Sequence, residues 1–353
     1  MKFGSEIKIG NRIVGKGHAP FIIAEISGNH LNDKNIALVL VQKSIDAGAS
    51  AIKLQTYKPE TMTLDCDAED FVVKGSNENW EGETLFNLYE KAFTPWEWHK
   101  DIFELCKKHD VPCFSSPFDK TAVDLLEELG APAYKIASFE CVDIPLIKYV
   151  ASKKKPVIMS TGMATMEEIA TAVEAFESAG GENLILLKCT SSYPAPPENS
   201  NLNVIPHLSK LFDCQVGLSD HTLGTTAPLV AISLGATVVE KHVTLSRTNG
   251  AVDSSFSMEP EEFKGMMAES VNAWKSLGKI QYGPSEVELE NRKYRRSLYV
   301  SQDVKAGDKV TAENVRAVRP GKGLAPKYLE VVQGMTFAQD VKLGTALSWE
   351  LFK

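Results

Sequence analysis

Two histidines, His221 and His242, carry the strongest chemical signal in the sequence. His221 follows the apolar run Gln215 to Leu218, within Gly217-Leu-Ser-Asp-His-Thr222. His242 follows Thr237 to Val239, within Glu240-Lys-His242, and between the two, Thr226 to Leu234 has the length and apolarity of a helix. That is a strand, helix, strand unit. When two such strands pair in parallel, both imidazoles project from the same carboxyl edge of the sheet, where enzymes of this architecture keep their chemistry. Two imidazoles there can hold a divalent cation that keeps positions open for a substrate oxygen and acts as a Lewis acid. They are fewer than the three protein ligands of a typical catalytic zinc site, which points to a loosely held, exchangeable ion such as manganese, with magnesium or cobalt as alternatives.

The other apolar runs end in polar residues as well. Glu25 ends the first; Lys53 and Gln55 belong to the second; Ser115, Ser116 and Asp119 follow the third; Lys135, Ser138 and Glu140 go with the fourth. Ser160-Thr161 end the fifth, Lys188 and Thr190 to Tyr193 the sixth, and Ser219 precedes His221 on the seventh. A lone lysine of this kind is most often a solvated flank, but so many strand ends of one character call for a shared site. These groups suit a small, multiply charged anion: Lys53 and Lys135 can pair with phosphate or carboxylate, while Ser116, Ser138, Ser160 and Ser219 add hydroxyl and backbone donors. Glu25, facing those cations, is a candidate general base or proton shuttle.

Eight short apolar runs have to position these residues, beginning at Phe21, Ala51, Val111, Ala133, Val157, Leu184, Gln215 and Thr237. Amphipathic helical patterns separate them, and a last one runs from Pro260 to Leu277. Eight strand and helix repeats of this length predict an α/β fold, a (β/α)8 TIM barrel. An open doubly wound sheet is the alternative, disfavoured by the absence of a glycine-rich nucleotide fingerprint. Residues 6 to 14 alternate around Gly10-Asn11, a hairpin signal for an N-terminal cap. Some forty residues between the second strand and Pro95, including Asp65-Cys-Asp67 and Asn77 to Thr84, form a connection long enough for a lid over the barrel mouth. The predicted organisation is a barrel over 1–281, a linker over 282–296 and a small domain over 297–353. At that size the small domain has reason to dock on a barrel, its own or a partner's.

Composition narrows the function further. The formal net charge of -8 argues against general nucleic-acid binding, so an anionic substrate needs locally clustered cations. Six cysteines without zinc or CxxC spacing fit a reducing compartment. No apolar run approaches the roughly 20 residues of a membrane span, and Met1 to Gly17 lacks the apolar core of a secretion signal. The expectation is a cytoplasmic protein that binds neither nucleic acid nor membrane.

At these residues the sequence resembles the sialic acid synthase family over nearly its whole length. The resemblance is carried by Ile23-Ala-Glu25 with Asn29-His30, Lys53-Leu-Gln55, Ser116-Pro-Phe118, Tyr134-Lys-Ile-Ala-Ser138 and Met159-Ser-Thr-Gly162. Lys188-Cys-Thr-Ser191 with Tyr193-Pro194, Gly217 to Thr222 and Glu240 to His242 complete it, and Arg319-Pro-Gly321 matches the family's antifreeze-like (SAF) domain. The resemblance implies condensation of phosphoenolpyruvate with an amino sugar, with metal on His221 and His242. It assigns Lys53, Ser116, Lys135, Ser138, Ser160, Ser191 and Ser219 to phosphoenolpyruvate, and Gln55, Tyr193 and Asp253 to the sugar. It also implies a domain-swapped homodimer in which Arg319 reaches the neighbouring subunit's sugar. Ser191, where neuraminate synthases typically have asparagine, and Trp80-Glu-Gly-Glu-Thr-Leu85, Thr94 to His99 and Phe114 to Asp119 resemble the pseudaminate branch, with neuraminate or legionaminate synthesis as alternatives. Two more distant readings are a class I aldolase with Lys135 or Lys188 as the Schiff-base lysine, and a non-catalytic sugar-binding protein.

Overall fold

A computed structural model describes residues 2–74 and 80–353. The chain divides into two compact units, Met1–Gly278 and Lys279–Lys353. In the first, β1 (Ile7–Ile9) and β2 (Arg12–Val14) form the antiparallel hairpin that the Gly10-Asn11 signal predicts. Gly10 takes a positive φ of 59° at the turn, a conformation open to glycine without strain. The buried side chains Phe3, Ile7, Ile9 and Val14 join the main core of the unit.

Eight parallel strands then close into a barrel: β3 (Phe21–Glu25), β4 (Ala51–Thr56), β5 (Cys113–Pro117), β6 (Tyr134–Ile136), β7 (Val157–Ser160), β8 (Leu184–Cys189), β9 (Gln215–Asp220) and β10 (Val238–His242). The strands continue past the points where apolar composition ends. Lys53, Ser116, Ser160, Ser219 and Glu240 are in-strand and buried, because the upper layer of a barrel interior can be polar when its groups satisfy one another. Register closes the ring by setting His242 beside Glu25, Glu25 beside Lys53 and Ser219 beside Glu240.

The connecting helices follow the predicted patterns: α1 (Lys34–Asp46), α4 (Trp96–Lys108), α5 (Lys120–Glu128), α6 (Ile144–Ser152), α7 (Met166–Ser178), α8 (Val204–Phe212), α9 (Thr226–Ser233) and α10 (Pro260–Leu277). Their starts are chemically marked. Asp33, Asp119 and Asp143 accept first-turn N–H groups, and Thr165 forms a capping box with Glu168. The long connection after β4 is more ordered than a plain loop. It holds α2 (Pro59–Met62) and α3 (Leu85–Ala92), the latter capped by Thr84, whose hydroxyl accepts from the Asn87 N–H. Asn77 to Asn79 of the expected lid lie outside the described residues.

The second unit pairs β11 (Ser297–Val300) antiparallel with β12 (Val315–Val318). Its own core includes Leu298, Val300, Val315, Phe337 and Leu347. Residues 282–296, read as a linker, belong to this compact unit, where the Gly321 N–H donates to the Lys293 carbonyl at 2.8 Å. No helix among the described residues is long and apolar enough to cross a membrane.

Two buried histidines tie the lid's far end to the barrel. His99 Nε2 lies 2.7 Å from Thr56 Oγ1, which is itself 2.6 Å from Ser115 Oγ. His30 Nδ1 accepts from the Asn32 N–H at 3.1 Å, and its Nε2 is 3.3 Å from Thr94 Oγ1. Burial holds both imidazoles down at about 4. The unfolded chain takes up these protons near the ordinary value of 6.5 and the folded chain only near 4, so stability falls as pH drops through that window. Each histidine contributes up to about 1.4 kcal/mol per pH unit. Urea midpoints should therefore fall between pH 7 and pH 5, and His99→Gln should flatten that dependence; an unchanged slope would show that His99 does not titrate on unfolding.

Candidate active site

Four charged side chains meet inside the upper barrel. Lys53 Nζ is 2.6 Å from Glu25 Oε2, 3.4 Å from Glu240 Oε1 and 3.2 Å from Ser116 Oγ. Lys135 Nζ is 3.6 Å from Glu240 Oε1 and donates to Ser160 Oγ at 2.7 Å, while Ser219 Oγ donates to Glu240 Oε1 at 3.3 Å. All four charged groups are almost completely buried. Burial disfavours charge on both lysines, but Glu240 and Glu25 outweigh it at Lys53 and raise its pKa, whereas Lys135 stays below the ordinary lysine value. Lys135 is the less satisfied cation. The carboxylates also separate: burial pushes Glu25 up against the pull of Lys53, while burial of Glu240 is overcome by Lys135 and Lys53, which hold it below the ordinary range. Glu25 Oε1 and Glu240 Oε2 are buried without a hydrogen-bond partner among the described residues. Unmet acceptors of this kind mark a place where a donor-bearing ligand or water belongs.

Beside this cluster, three strand ends build a small hydroxyl cradle. The Gly162 N–H donates to Ser138 Oγ at 3.1 Å. A Cβ on Gly162 would stand 2.3 Å from Ser191 Oγ and 2.6 Å from Ser138 Oγ, so the hydroxyls converge only because this residue has no side chain. With Ser160 and Lys135 next to them, these groups offer several donors to one anion.

The histidine rings stand 5.2 Å apart, centroid to centroid. His221 Nδ1 is 2.9 Å from the Thr190 carbonyl, which can only accept, so Nδ1 carries a proton and Nε2 is the nitrogen left to meet a ligand. His242 Nδ1 faces Ser27 Oγ at 3.2 Å and Asp253 Oδ2 at 3.8 Å, acceptors that favour the same tautomer. Burial, followed by the neighbouring His221 and Lys53, keeps His242 well below the ordinary imidazole value and therefore neutral. At His221 the lowering effect of burial is outweighed by Cys189 and the Thr190 carbonyl, which raise its pKa, so a bound cation would compete with a proton there. Two rings, each oriented by an outer hydrogen bond, fit a two-histidine metal site. Among the described residues no group of three or more His, Cys, Asp or Glu side chains is arranged to hold a metal ion.

Aromatic rings wall this side. Tyr193 lies 4.3 Å from the His221 ring and 5.2 Å from Phe256, which is 5.1 Å from His242, and Trp80 stands 6.0 Å from Tyr193. The Trp80 indole N–H donates to the Val252 carbonyl at 3.2 Å. Asp253 is half-buried beside His242, and Gln55 lies on β4 two residues beyond Lys53, in register with Ser116.

The structure thus gathers Glu25, Lys53, Ser116, Lys135, Ser138, Ser160, Ser191, Ser219, His221 and His242 in one barrel mouth, with Tyr193 and Asp253 against the histidines. Arg319 belongs to the second unit, where it is exposed. Lys188 does not join the acids; it donates to the carbonyl of Cys189 at 2.6 Å. Glu240, Ser27, Phe256 and Gly162 were not singled out as site residues. For Glu240 the signal was available, since the two-residue period of a strand puts it on the same face as His242.

Over residues 40–282 the sequence matches the NeuB family, and over 295–353 the SAF domain. It is 44% identical to the pseudaminic acid synthase of Campylobacter jejuni subsp. jejuni serotype O:2, across 93% of this chain and 95% of that protein. It is 40% identical to the pseudaminic acid synthase of Helicobacter pylori, across 93% and 96%. The N,N'-diacetyllegionaminic acid synthase of Legionella pneumophila subsp. pneumophila is 34% identical across 98% and 99%. The crystal structure of N-acetylneuraminic acid synthetase from Leptospira borgpetersenii serovar Hardjo-bovis superposes with a TM-score of 0.72 at 33% identity, covering 81% of this chain and 94% of that one. With the barrel, the ordered motifs and these matches in agreement, the chain belongs to the NeuB, or sialic acid synthase, family and ends in a SAF domain.

Proposed function

We propose that the protein condenses phosphoenolpyruvate with a 2,4-diacetamido-2,4,6-trideoxy hexose of the altrose type, giving pseudaminic acid and inorganic phosphate. The observation that carries the reading is one barrel mouth holding a lysine and serine cradle for a phosphorylated carboxylate beside a histidine pair for a metal. The choice of sugar rests on identities of 44% and 40% to pseudaminic acid synthases against 34% to a legionaminic acid synthase. The apolar wall of Trp80, Tyr193 and Phe256 suits the methyl groups of a deoxy, acetamido-bearing substrate. Six free cysteines are in keeping with a cytoplasmic location.

In the reaction, C3 of phosphoenolpyruvate bonds to the aldehyde carbon of the open-chain sugar, and the aldehyde oxygen takes a proton to become a hydroxyl. Water adds at C2 and loses a proton. The C2–O bond to phosphate then breaks as the C2 hydroxyl gives up its proton and becomes the keto group, the electron pair and that proton leaving with inorganic phosphate. Lys53, Lys135 and the hydroxyls of Ser116, Ser138, Ser160, Ser191 and Ser219 bind the phosphate and carboxylate, and Lys135, short of acid partners, gains most from the new charge. Glu25, whose raised pKa keeps proton uptake within reach, accepts the proton lost by the adding water. The family is metal-dependent; held by His221 and His242, a divalent ion, manganese on this reading, supplies Lewis acidity at a substrate oxygen. Gln55, Tyr193 and Asp253 face the sugar, and Arg319 of a neighbouring subunit in a domain-swapped homodimer completes that side, its planar fork matching acetamido and hydroxyl oxygens.

Phosphoenolpyruvate, manganese and a panel of amino sugars, with the products identified by mass and NMR, test the substrate: pseudaminic acid should dominate, and preferential turnover of the neuraminate precursor would move the protein to that branch. His221→Ala or His242→Ala should lower metal-dependent turnover more than about a hundredfold with circular dichroism unchanged. Full activity of either in metal-stripped buffer would remove the histidines from the site. For the anion cradle, Lys135→Met should weaken phosphoenolpyruvate binding by about 2–5 kcal/mol, and Gly162→Ala should raise its KM because one hydroxyl must move away; unchanged constants in both would overturn the assignment. Mixed dimers of His221→Ala and Arg319→Ala subunits should recover activity, since one crossed site is intact. Their failure to do so would place Arg319 outside a shared site.

A further inference from the structure

Between the site-facing residues of β9 and β10 runs a second buried charge pair that takes no part in the chemistry above. Asp220 and Lys241 are register partners, and both are almost completely buried. Lys241 Nζ donates to Asp220 Oδ2 at 2.6 Å and to the Thr222 carbonyl. Thr222 returns two bonds to the same carboxylate, from its N–H to Oδ1 at 3.0 Å and from its hydroxyl to Oδ2 at 3.1 Å. The result is a closed network joining the end of β9, the first residues after it and β10. Its members alternate with the site residues. Ser219 and Glu240 touch one another inside the barrel, and the His221 and His242 rings face each other, so strand periodicity sends Asp220 and Lys241 to the outer face. Each of these two residues is therefore the direct chain neighbour of one candidate metal ligand.

A buried ion pair is a poor source of stability, because apolar residues of similar volume serve as well or better. It is a good way to fix a register, since its directional bonds are satisfied at one separation only. Lys241 also grips the carbonyl of the residue that follows His221, which fixes the backbone on both sides of that ligand. We propose that the Asp220–Lys241–Thr222 network is a positioning device that sets the separation of the His221 and His242 rings and so the affinity of the pair for a divalent ion. The inference rests on the reading of those histidines as metal ligands.

The test removes both charges together, so that neither is left buried alone. In the full-length protein, Asp220→Asn combined with Lys241→Met should keep the wild-type circular dichroism spectrum. It should bind manganese, titrated alone and followed by the EPR signal of the free ion, about 10–100-fold more weakly. Excess manganese should restore kcat, and the KM for phosphoenolpyruvate should stay within about twofold, a split that general loosening of the barrel would not produce. Lys241→Arg, which keeps the charge but replaces the compact ammonium that bonds both Asp220 and the Thr222 carbonyl with a larger planar group, is the second variant. It should also weaken manganese binding, by less than the double substitution, and it carries the test if the double variant fails to fold. Wild-type manganese affinity in whichever of these folds would overturn the proposal and leave the histidine site standing. His221→Ala serves as the control: if it binds manganese as tightly as wild type, the histidine reading fails and this inference with it.

Discussion

The upper barrel depends on mutual neutralisation of four buried charges. Glu25, Lys53, Lys135 and Glu240 come from four strands and have almost no access to water. Any one of them alone would be prohibitively expensive there. Together they are tolerated because register sets acids against lysines: β3 beside β4 pairs Glu25 with Lys53, and β10 brings Glu240 to both lysines. The compensation is incomplete. One oxygen of each carboxylate lacks a hydrogen-bond partner among the described residues, and Lys135 is underserved. An anion that brings charge to Lys135 and a water that can donate to the carboxylates would complete what the protein leaves unfinished, which is how a buried polar cluster differs from a structural one.

Closure of the barrel is equally a condition for the proposed metal site. His242 ends β10, which pairs with β9 on one side and with the first barrel strand on the other. A slip of one residue in either pairing would turn His242 and Glu240 outward and bring Lys241 in. The hairpin, the interlocked apolar layers below and the outer-face network of Asp220 and Lys241 all resist that slip. Chemistry at the carboxyl edge is thus bought with order elsewhere in the strands.

Much of this was legible from residue order. Eight apolar runs separated by amphipathic helices define the barrel, and polar residues at run after run locate its mouth. What stayed hidden followed from side-chain direction and chain reach. Strand ends were placed too early because runs were bounded by hydrophobicity, although Ser116, Ser219 and Glu240 are interior residues that continue the pleat. Glu240 was visible in the motif with His242 but carried no assigned role until the strand period placed it inside. Helix α3 was absorbed into the long connection because eight residues give too short a pattern to separate from a loop. Gly162 could not have been found by composition, since its contribution is the space that its missing side chain leaves to Ser138 and Ser191.

Charge is distributed between the two units in a way that the total conceals. Residues 279–353 hold 13 Lys and Arg against nine Asp and Glu, which leaves 25 against 37 in residues 1–278. An acidic barrel repels an incoming trianion at long range, and the buried lysines help only at contact, since salt screens charge beyond about 10 Å. A positively charged companion is the complement such a barrel lacks. Arg292, Lys293, Arg295 and Arg296 lie on the segment against which the Arg319-Pro-Gly321 turn is held by the Lys293 carbonyl, so the basic charge gathers around the same turn that presents Arg319. In the proposed dimer that turn would bring a local excess of cations to the mouth of a neighbouring acidic barrel, supplying from a second chain the long-range attraction that the first chain's own composition works against.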